Sequence, residues 1–254
     1  MKKTTLSLLL LSSLCFGTEK FDWSSVLVVP PGTEYVEGNQ ILHFKSKNKD
    51  YHENEEACLF VEKYLANATP LKSDAEVLKF GSDHVTLNGL FIELGVCTGK
   101  TINFIAALNP LKKIYGFDSF EGLPEDWIRQ DTKISKGTFA FKNPNALPPV
   151  LHNVRLIKGL FQDALPPFCE TQKEPIALLH VDCDIYSSTA TALELFSNQI
   201  VPGTILVFDE LYNYPGYENH EFKALQEFLK KKSLKAEYLA YNIYHEQVAL
   251  RIVE

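Results

Sequence analysis

Leu90-Phe91-Ile92-Glu93-Leu94-Gly95-Val96-Cys97-Thr98-Gly99-Lys100-Thr101 is the stretch from which the fold is read. The apolar run Leu90 to Ile92 reads as a buried strand. Glu93 follows, and then two glycines spaced Gly95-x-x-x-Gly99. Beyond them Ile102, Phe104, Ile105 and Leu108 recur at helical spacing until Pro110 ends the helix. Strand, glycine turn and helix in succession open an α/β nucleotide or cofactor site. Glycine lacks a Cβ, so the backbone can turn tightly and a ligand can approach it closely. A plain βα turn that merely uses glycine is the alternative for these residues alone.

The second βα unit narrows that choice. Lys113-Ile114-Tyr115-Gly116-Phe117-Asp118 reads as the next strand, ending on an acid. Asp118 lies roughly 20 residues past the glycine turn, the spacing at which an acid meets ribose hydroxyls. The plain alternative is a surface or helix-capping aspartate.

Composition bounds the rest. A chain of 254 residues predicts one large domain with a full core. Its 45% hydrophobic and 22% charged residues match an ordinary globular protein. A net charge of −7 without a basic stripe argues against an unaided nucleic-acid binder. Lys230-Lys231-Lys232 reads as a solvated helix end that complements the helix dipole. The five cysteines form no CxxC pair or metal-finger spacing. Cys97 in the glycine turn and Cys183 between two acids suit small reduced residues near a site. The N-terminus points elsewhere: Met1-Lys2-Lys3 and an apolar core from Leu6 to Leu14 precede Cys15-Phe16-Gly17. Residues 1–17 therefore read as a secretory signal or an apolar N-terminal segment, too short for a stable membrane span.

Residues 18–84 read as an N-terminal extension, with a hairpin around Gly38-Asn39 and two helices, Asn54 to Ala66 and Ser73 to Phe80, placed to cover the site. The main domain spans residues 85–254. Val154 to Gly159 is its third strand, and Phe161 to Leu165 opens the next helix. Pro175 to Asp182 is apolar on both faces, as an interior parallel strand should be. Thr204 to Phe208 is another buried strand and ends in Asp209-Glu210. After a helix from about His220 to Lys231, the runs Ala236 to Tyr244 and Gln247 to Val253 read as an antiparallel hairpin. The expected fold is α/β and Rossmann-like: a mostly parallel, seven-stranded sheet closed by a C-terminal antiparallel hairpin.

In open α/β sheets, ligands bind beyond the carboxyl ends of the strands. Glu93, Asp118, Asp182, Asp209 and Glu210 all fall at such ends. Strands four and five should be neighbours, which would bring Asp182, Asp209 and Glu210 together. Carboxylates that close repel unless protonated or bridged by a cation. Three hard oxygen donors suit Mg²⁺ or another divalent ion. The alternative is acids that cap the following helices.

Four strings then carry a resemblance: Glu93-Leu94-Gly95-x-x-x-Gly99; Gly116-Phe117-Asp118-Ser119-Phe120-Glu121-Gly122-Leu123-Pro124; His180-Val181-Asp182-Cys183-Asp184-Ile185-Tyr186-Ser187-Ser188-Thr189; and Phe208-Asp209-Glu210. Together they resemble the class I S-adenosylmethionine-dependent methyltransferases, and within these the macrocin O-methyltransferase family, over about residues 85 to 253. The resemblance implies an O-methyltransferase that uses S-adenosyl-L-methionine and a divalent cation, Mg²⁺ foremost. It implies methylation of a small-molecule hydroxyl acceptor, a sugar or other vicinal diol. Glu93, Gly95 and Gly99 would line the methionine and ribose side of the cofactor. Asp118 would take the ribose hydroxyls, with Ser119 beside it in the cofactor site. Asp182, Asp209 and Glu210 would hold the metal, and Asp182 would be the catalytic base. The family more often has Asp or Asn where this chain has Glu210. Whether Asp182 or Asp184 lies nearer the reacting hydroxyl stays open, as does the oligomeric state, with a homo-oligomer among the expectations. Cofactor supply favours the cytoplasm, whereas residues 1–17 favour secretion or the periplasm.

Three rivals remain. Gly99-Lys100-Thr101 ends like a P-loop, but that loop needs glycine at position 94, which is Leu94. A nicotinamide dehydrogenase would need Gly-x-Gly-x-x-Gly, which is absent. An exported, non-catalytic binding protein on the same fold would keep the architecture without the chemistry.

Overall fold

The computed structural model describes residues 55–129, 132–141, 143 and 146–254. The signal-like residues 1–17 and the hairpin around Gly38-Asn39 lie outside these.

In chain order the elements are α1 (Glu55–Phe60), continued by a π-helical turn over Val61–Leu65, then β1 (Thr69–Leu71), α2 (Asp74–Asp83), β2 (Leu90–Leu94), α3 (Lys100–Leu108) and β3 (Ile114–Asp118). There follow β4 (Trp127–Arg129), β5 (Thr132–Ile134), β6 (Val154–Lys158), α4 (Phe161–Thr171), β7 (Ile176–Val181) and α5 (Tyr186–Leu195). The chain ends with β8 (Ile205–Phe208), α6 (Glu221–Lys232), β9 (Lys235–Asn242) and β10 (Val248–Val253).

The main sheet has the order β1-β9-β10-β8-β7-β2-β3-β6. All pairings in it are parallel except those of β10, which runs antiparallel to β8 and to β9. The seven expected strands are present, and the short β1 adds an eighth at the β9 edge. The strands carrying Asp182 and Asp209 are neighbours, with Val181 opposite Phe208. Interior strands β2, β7 and β8 are buried along their whole length. This is why they read as unbroken apolar runs rather than alternating ones.

Two apolar layers cover the sheet. Val77 and Leu78 of α2 and Ile102 and Ile105 of α3 pack on Phe91, Leu178 and Val207. On the opposite face Leu165 and Phe168 of α4, Leu193 of α5 and Leu225 and Phe228 of α6 pack on Ile92, Leu179 and Leu206. The alternation of the strands sends Glu93 and His180 to the α3 side, since they share parity with Phe91 and Leu178. Two helices within residues 18–84 are expected to cover the site. α2 packs on the sheet, and its first residue, Asp74, reaches the cavity described below. α1 and its π-turn pack their aromatic rings on the far side, where Phe60 meets Tyr212, Tyr217 and Phe222. A small antiparallel pair, β4-β5, follows β3, with Trp127 opposite Ile134. Among the described residues no helix is long and apolar enough to cross a membrane.

Candidate active site

A cavity of about 660 Å³ opens beyond the carboxyl ends of β2, β3, β6, β7 and β8. The glycine turn forms one wall. Gly95 (φ 84°), Cys97 (φ 44°) and Gly99 (φ 83°) all adopt left-handed backbone. A Cβ on Gly95 would fall 1.6 Å from the Asp182 carbonyl oxygen. Glycine there lets β2 leave the sheet against the end of β7, and Gly95 also lines the cavity. Gly99 likewise faces Pro148, 3.1 Å from where its Cβ would lie.

Asp118 anchors this turn. Its Oδ2 accepts the Val96 and Cys97 N–H groups at 2.8 and 2.7 Å, and its Oδ1 accepts the Phe120 N–H at 2.7 Å. It lines the cavity, but most of its accepting capacity already serves the backbone. Ser119, also on the cavity wall, accepts the Glu121 N–H at 3.1 Å and donates to the Gly122 carbonyl at 3.3 Å.

Glu93 is not on the cavity wall. It is fully buried, accepts a hydrogen bond from the Thr101 hydroxyl, and lies 3.4 Å from Nδ1 of the equally buried His180 on the neighbouring strand. Burial pushes its carboxyl above the usual range. The expectation that Glu93 lines the cofactor side is therefore corrected. Its position in the last full pleat of β2 turns it under the first turn of α3, with Thr101 between it and the cavity.

The acids gather as expected at the ends of β7 and β8, in a different grouping. Asp182, Asp184 and Glu210 each offer an oxygen within 4.8 Å of the others. Asp209 lines the same cavity, but its Oδ1 accepts the Gln247 side-chain amide at 3.1 Å. Asp184 thus takes the place in the trio that strand order assigns to Asp209. The reason is local: Asp184 has φ 66°, so the chain after β7 turns back on itself. Glu221, in the first turn of α6, is fully buried and holds this arrangement. It accepts the Cys183 N–H at 3.4 Å and the Glu210 N–H at 3.3 Å, linking the ends of both strands.

Burial and then the Asp209 charge hold Asp182 and Glu210 well above the usual carboxylate range. The same two causes push Asp184 up to about 7. Glu221 is raised by burial and by Asp184. Arg129 on β4 brings a positive charge to bear on Asp184. Its guanidinium is held 2.6 Å from Glu246 and lies over the Tyr214 and Trp127 rings at 4.0 and 4.9 Å. Arg129, with Lys100 on the cavity wall, against this many acids leaves a deficit of positive charge. Glu210 Oε2 is buried with no partner. A hard divalent ion suits such a donor set.

Sequence reading missed Asp74, Glu221 and Arg129. For Glu221 the available signal was an acid opening the first α-helix after the acidic strand end. For Asp74 it was the matching position at the start of α2, next to the capping Ser73, whose hydroxyl accepts the Glu76 N–H.

Comparison with known proteins adds to this geometry. The family described as Macrocin-O-methyltransferase (TylF) matches residues 82–240. The 8-demethyl-8-(2,3-dimethoxy-alpha-L-rhamnosyl)-tetracenomycin-C 4'-O-methyltransferase of Streptomyces olivaceus is 26% identical over 142 residues, covering 48% of this chain and 52% of the relative. The chain thus spans about half the length of the curated relative it matches. A calicheamicin methyltransferase structure superposes with a TM-score of 0.57 at 24% identity, covering 70% of this chain and 78% of that one. An apo structure of a TDP-rhamnose 3'-O-methyltransferase of calicheamicin biosynthesis superposes with a TM-score of 0.51 at 20% identity, covering 84% and 90%. These likenesses carry the fold.

Proposed function

This chain belongs to the macrocin O-methyltransferase family, and from that premise we propose that it methylates a hydroxyl of a small, sugar-bearing acceptor with S-adenosylmethionine. The observation that carries the reading is the shared cavity: the glycine turn and the Asp182-Asp184-Glu210 acids line one space. A P-loop is disfavoured because residue 94 is a leucine buried in β2, where that loop needs glycine. The sugar acceptor is suggested by the names of the relatives, which specify a rhamnosyl compound and TDP-rhamnose.

Asp182, Asp184 and Glu210 are the residues that would hold a divalent cation, with Asp209 adding charge beside them. A bound cation would supply Lewis-acid polarisation that lowers the pKa of the acceptor hydroxyl. Asp182 would take the hydroxyl proton on a side-chain oxygen. Burial pushes its carboxyl well above the usual carboxylate range. Glu221 keeps the ends of β7 and β8 in register, so the acids stay aimed into the cavity. Methyl transfer needs no covalent enzyme intermediate, so positioning dominates, an effect worth ~7–11 kcal/mol in well-oriented reactions.

Calorimetric titration with S-adenosylhomocysteine, followed by methyl transfer to nucleotide-linked and free deoxysugars with and without EDTA, tests this reading. Cofactor binding with turnover that EDTA abolishes is the expected result. Failure to bind the cofactor would remove the methyltransferase reading, and full turnover in EDTA would remove the cation.

A further inference from the structure

Glu93 and His180 face each other directly across the β2-β7 pairing, and both point to the α3 side of the sheet. Asp182 lies two residues beyond His180. Its N–H still donates to the Leu94 carbonyl at 2.9 Å, so the ladder continues past the end of β7 and Asp182 falls on the same face as His180. A Glu93 oxygen, a His180 ring nitrogen and an Asp182 oxygen all lie within 4.8 Å of one another. Glu93 and His180 are fully buried. Glu93 Oε2 and both ring nitrogens of His180 have no hydrogen-bond partner among the described residues. Polar atoms shut away from water without partners are costly, so three of them in one place call for an occupant.

The spacing says what kind of occupant fits. His180 Nδ1 stands 3.4 Å from Glu93 Oε1 without hydrogen-bonding to it. Donors around a four-coordinate zinc ion sit about 3.3–3.6 Å from one another, so this pair is spaced like two ligands of one ion. We propose that Glu93, His180 and Asp182 form a second cation site, one that takes Zn²⁺ or a similar first-row transition ion. An imidazole nitrogen beside two carboxylates suits such an ion, whereas the all-oxygen group of Asp182, Asp184 and Glu210 suits Mg²⁺. A neutral imidazole and two carboxylates balance a divalent charge, and any proton the carboxyls hold leaves as the ion binds. The Thr101 hydroxyl donates to Glu93 and orients it, as partners of metal ligands do. Asp182 and Thr101 line the cavity, which gives an ion its way in. Asp182 belongs to both groups, so it would bridge two ions. Glu93 and His180 are not on the cavity wall, so the site stands independently of the reaction the cavity runs.

Titration calorimetry of the metal-stripped full chain with Zn²⁺, in excess Mg²⁺, tests the site. The wild type should take up one Zn²⁺ that Mg²⁺ does not displace. His180→Gln and Glu93→Gln should each weaken that step by about 100-fold, while Glu210→Ala should leave it in place. X-ray absorption at the zinc edge of the wild type gives a reading that needs no variant: one imidazole with oxygen donors and no sulfur is the expected shell. Sulfur in that shell, or a shell without imidazole, would overturn the site. So would a wild type that takes up no Mg²⁺-resistant Zn²⁺, or a His180→Gln protein that binds it as tightly. Glu93 and His180 would then be a plain buried pair. The methyltransferase reading survives each of these failures, because S-adenosylhomocysteine binding tests it separately.

Discussion

Asp118 Oδ2 accepts the backbone N–H of Val96 at 2.8 Å, tying the end of β3 to the glycine turn that follows β2. Cys97 and Phe120 add two more N–H donors to the same carboxylate. Asp118→Ala should therefore do more than remove a ribose contact. It should lower unfolding stability by about 1.5–3 kcal/mol, the worth of a charge-assisted hydrogen bond, and weaken S-adenosylhomocysteine as the turn loosens. Urea unfolding and calorimetry on one variant would show both losses. Weakened binding at unchanged stability would mean that the side chain serves the ligand alone.

Gly95→Ala places a Cβ 1.6 Å from the Asp182 carbonyl oxygen at a φ of 84°. Left-handed backbone and overpacking together should cost about 2–5 kcal/mol. The shift should also displace Asp182, so turnover should fall further than cofactor affinity. A variant with wild-type melting temperature and activity would contradict the geometry.

Glu210 Oε2 is buried without a partner inside the Asp182-Asp184-Glu210 group. Titration of the wild type with Mg²⁺ should show one site, and Glu210→Ala or Asp184→Asn should weaken it by about tenfold or more. Glu210→Asp should retain binding. Asp209→Asn should have the smaller effect, because Asp209 already accepts a hydrogen bond from Gln247. A larger loss at Asp209 than at Asp184 would restore the trio expected from strand order.

Stability of the metal-free protein should fall as pH rises. Asp74 moves from 3.8 to about 8 and Glu246 from 4.5 to about 7, both pushed up chiefly by burial. Between those values the unfolded chain has released protons that the folded protein still holds. Their contribution is complete below about pH 4 and is lost as pH climbs to 7 and 8. Thermal melts from pH 5 to 8 in EDTA should decline, and less steeply for Asp74→Asn. Identical slopes in the two proteins would refute the assignment.

Arg129→Met should destabilise by about 3–5 kcal/mol, because Glu246 would keep its buried site without the guanidinium 2.6 Å away. The double variant Arg129→Met with Glu246→Gln should recover much of that loss. Additive losses in the cycle would mean that the stacking of Arg129 on Tyr214 matters more than the ion pair.

Sequence alone determined the seven principal strands, the helices between them and the end of the sheet at which the chemistry lies, but not β1, β4 or β5. Interior parallel strands are buried on both faces, so β2, β7 and β8 announce themselves as apolar runs, and the acids after them mark the carboxyl ends. Only the tertiary structure decided which acids meet. Side-chain direction follows strand alternation up to the last pleat, which explains the burial of Glu93 against Thr101 and His180. Past that pleat it follows loop dihedrals, and the left-handed Asp184 swings into the group from which the Gln247 hydrogen bond holds Asp209 aside. Asp74 and Arg129 come from elements far away in the chain, and Glu221 from the helix that follows β8. Their place beside the acids depends on packing that no local spacing records.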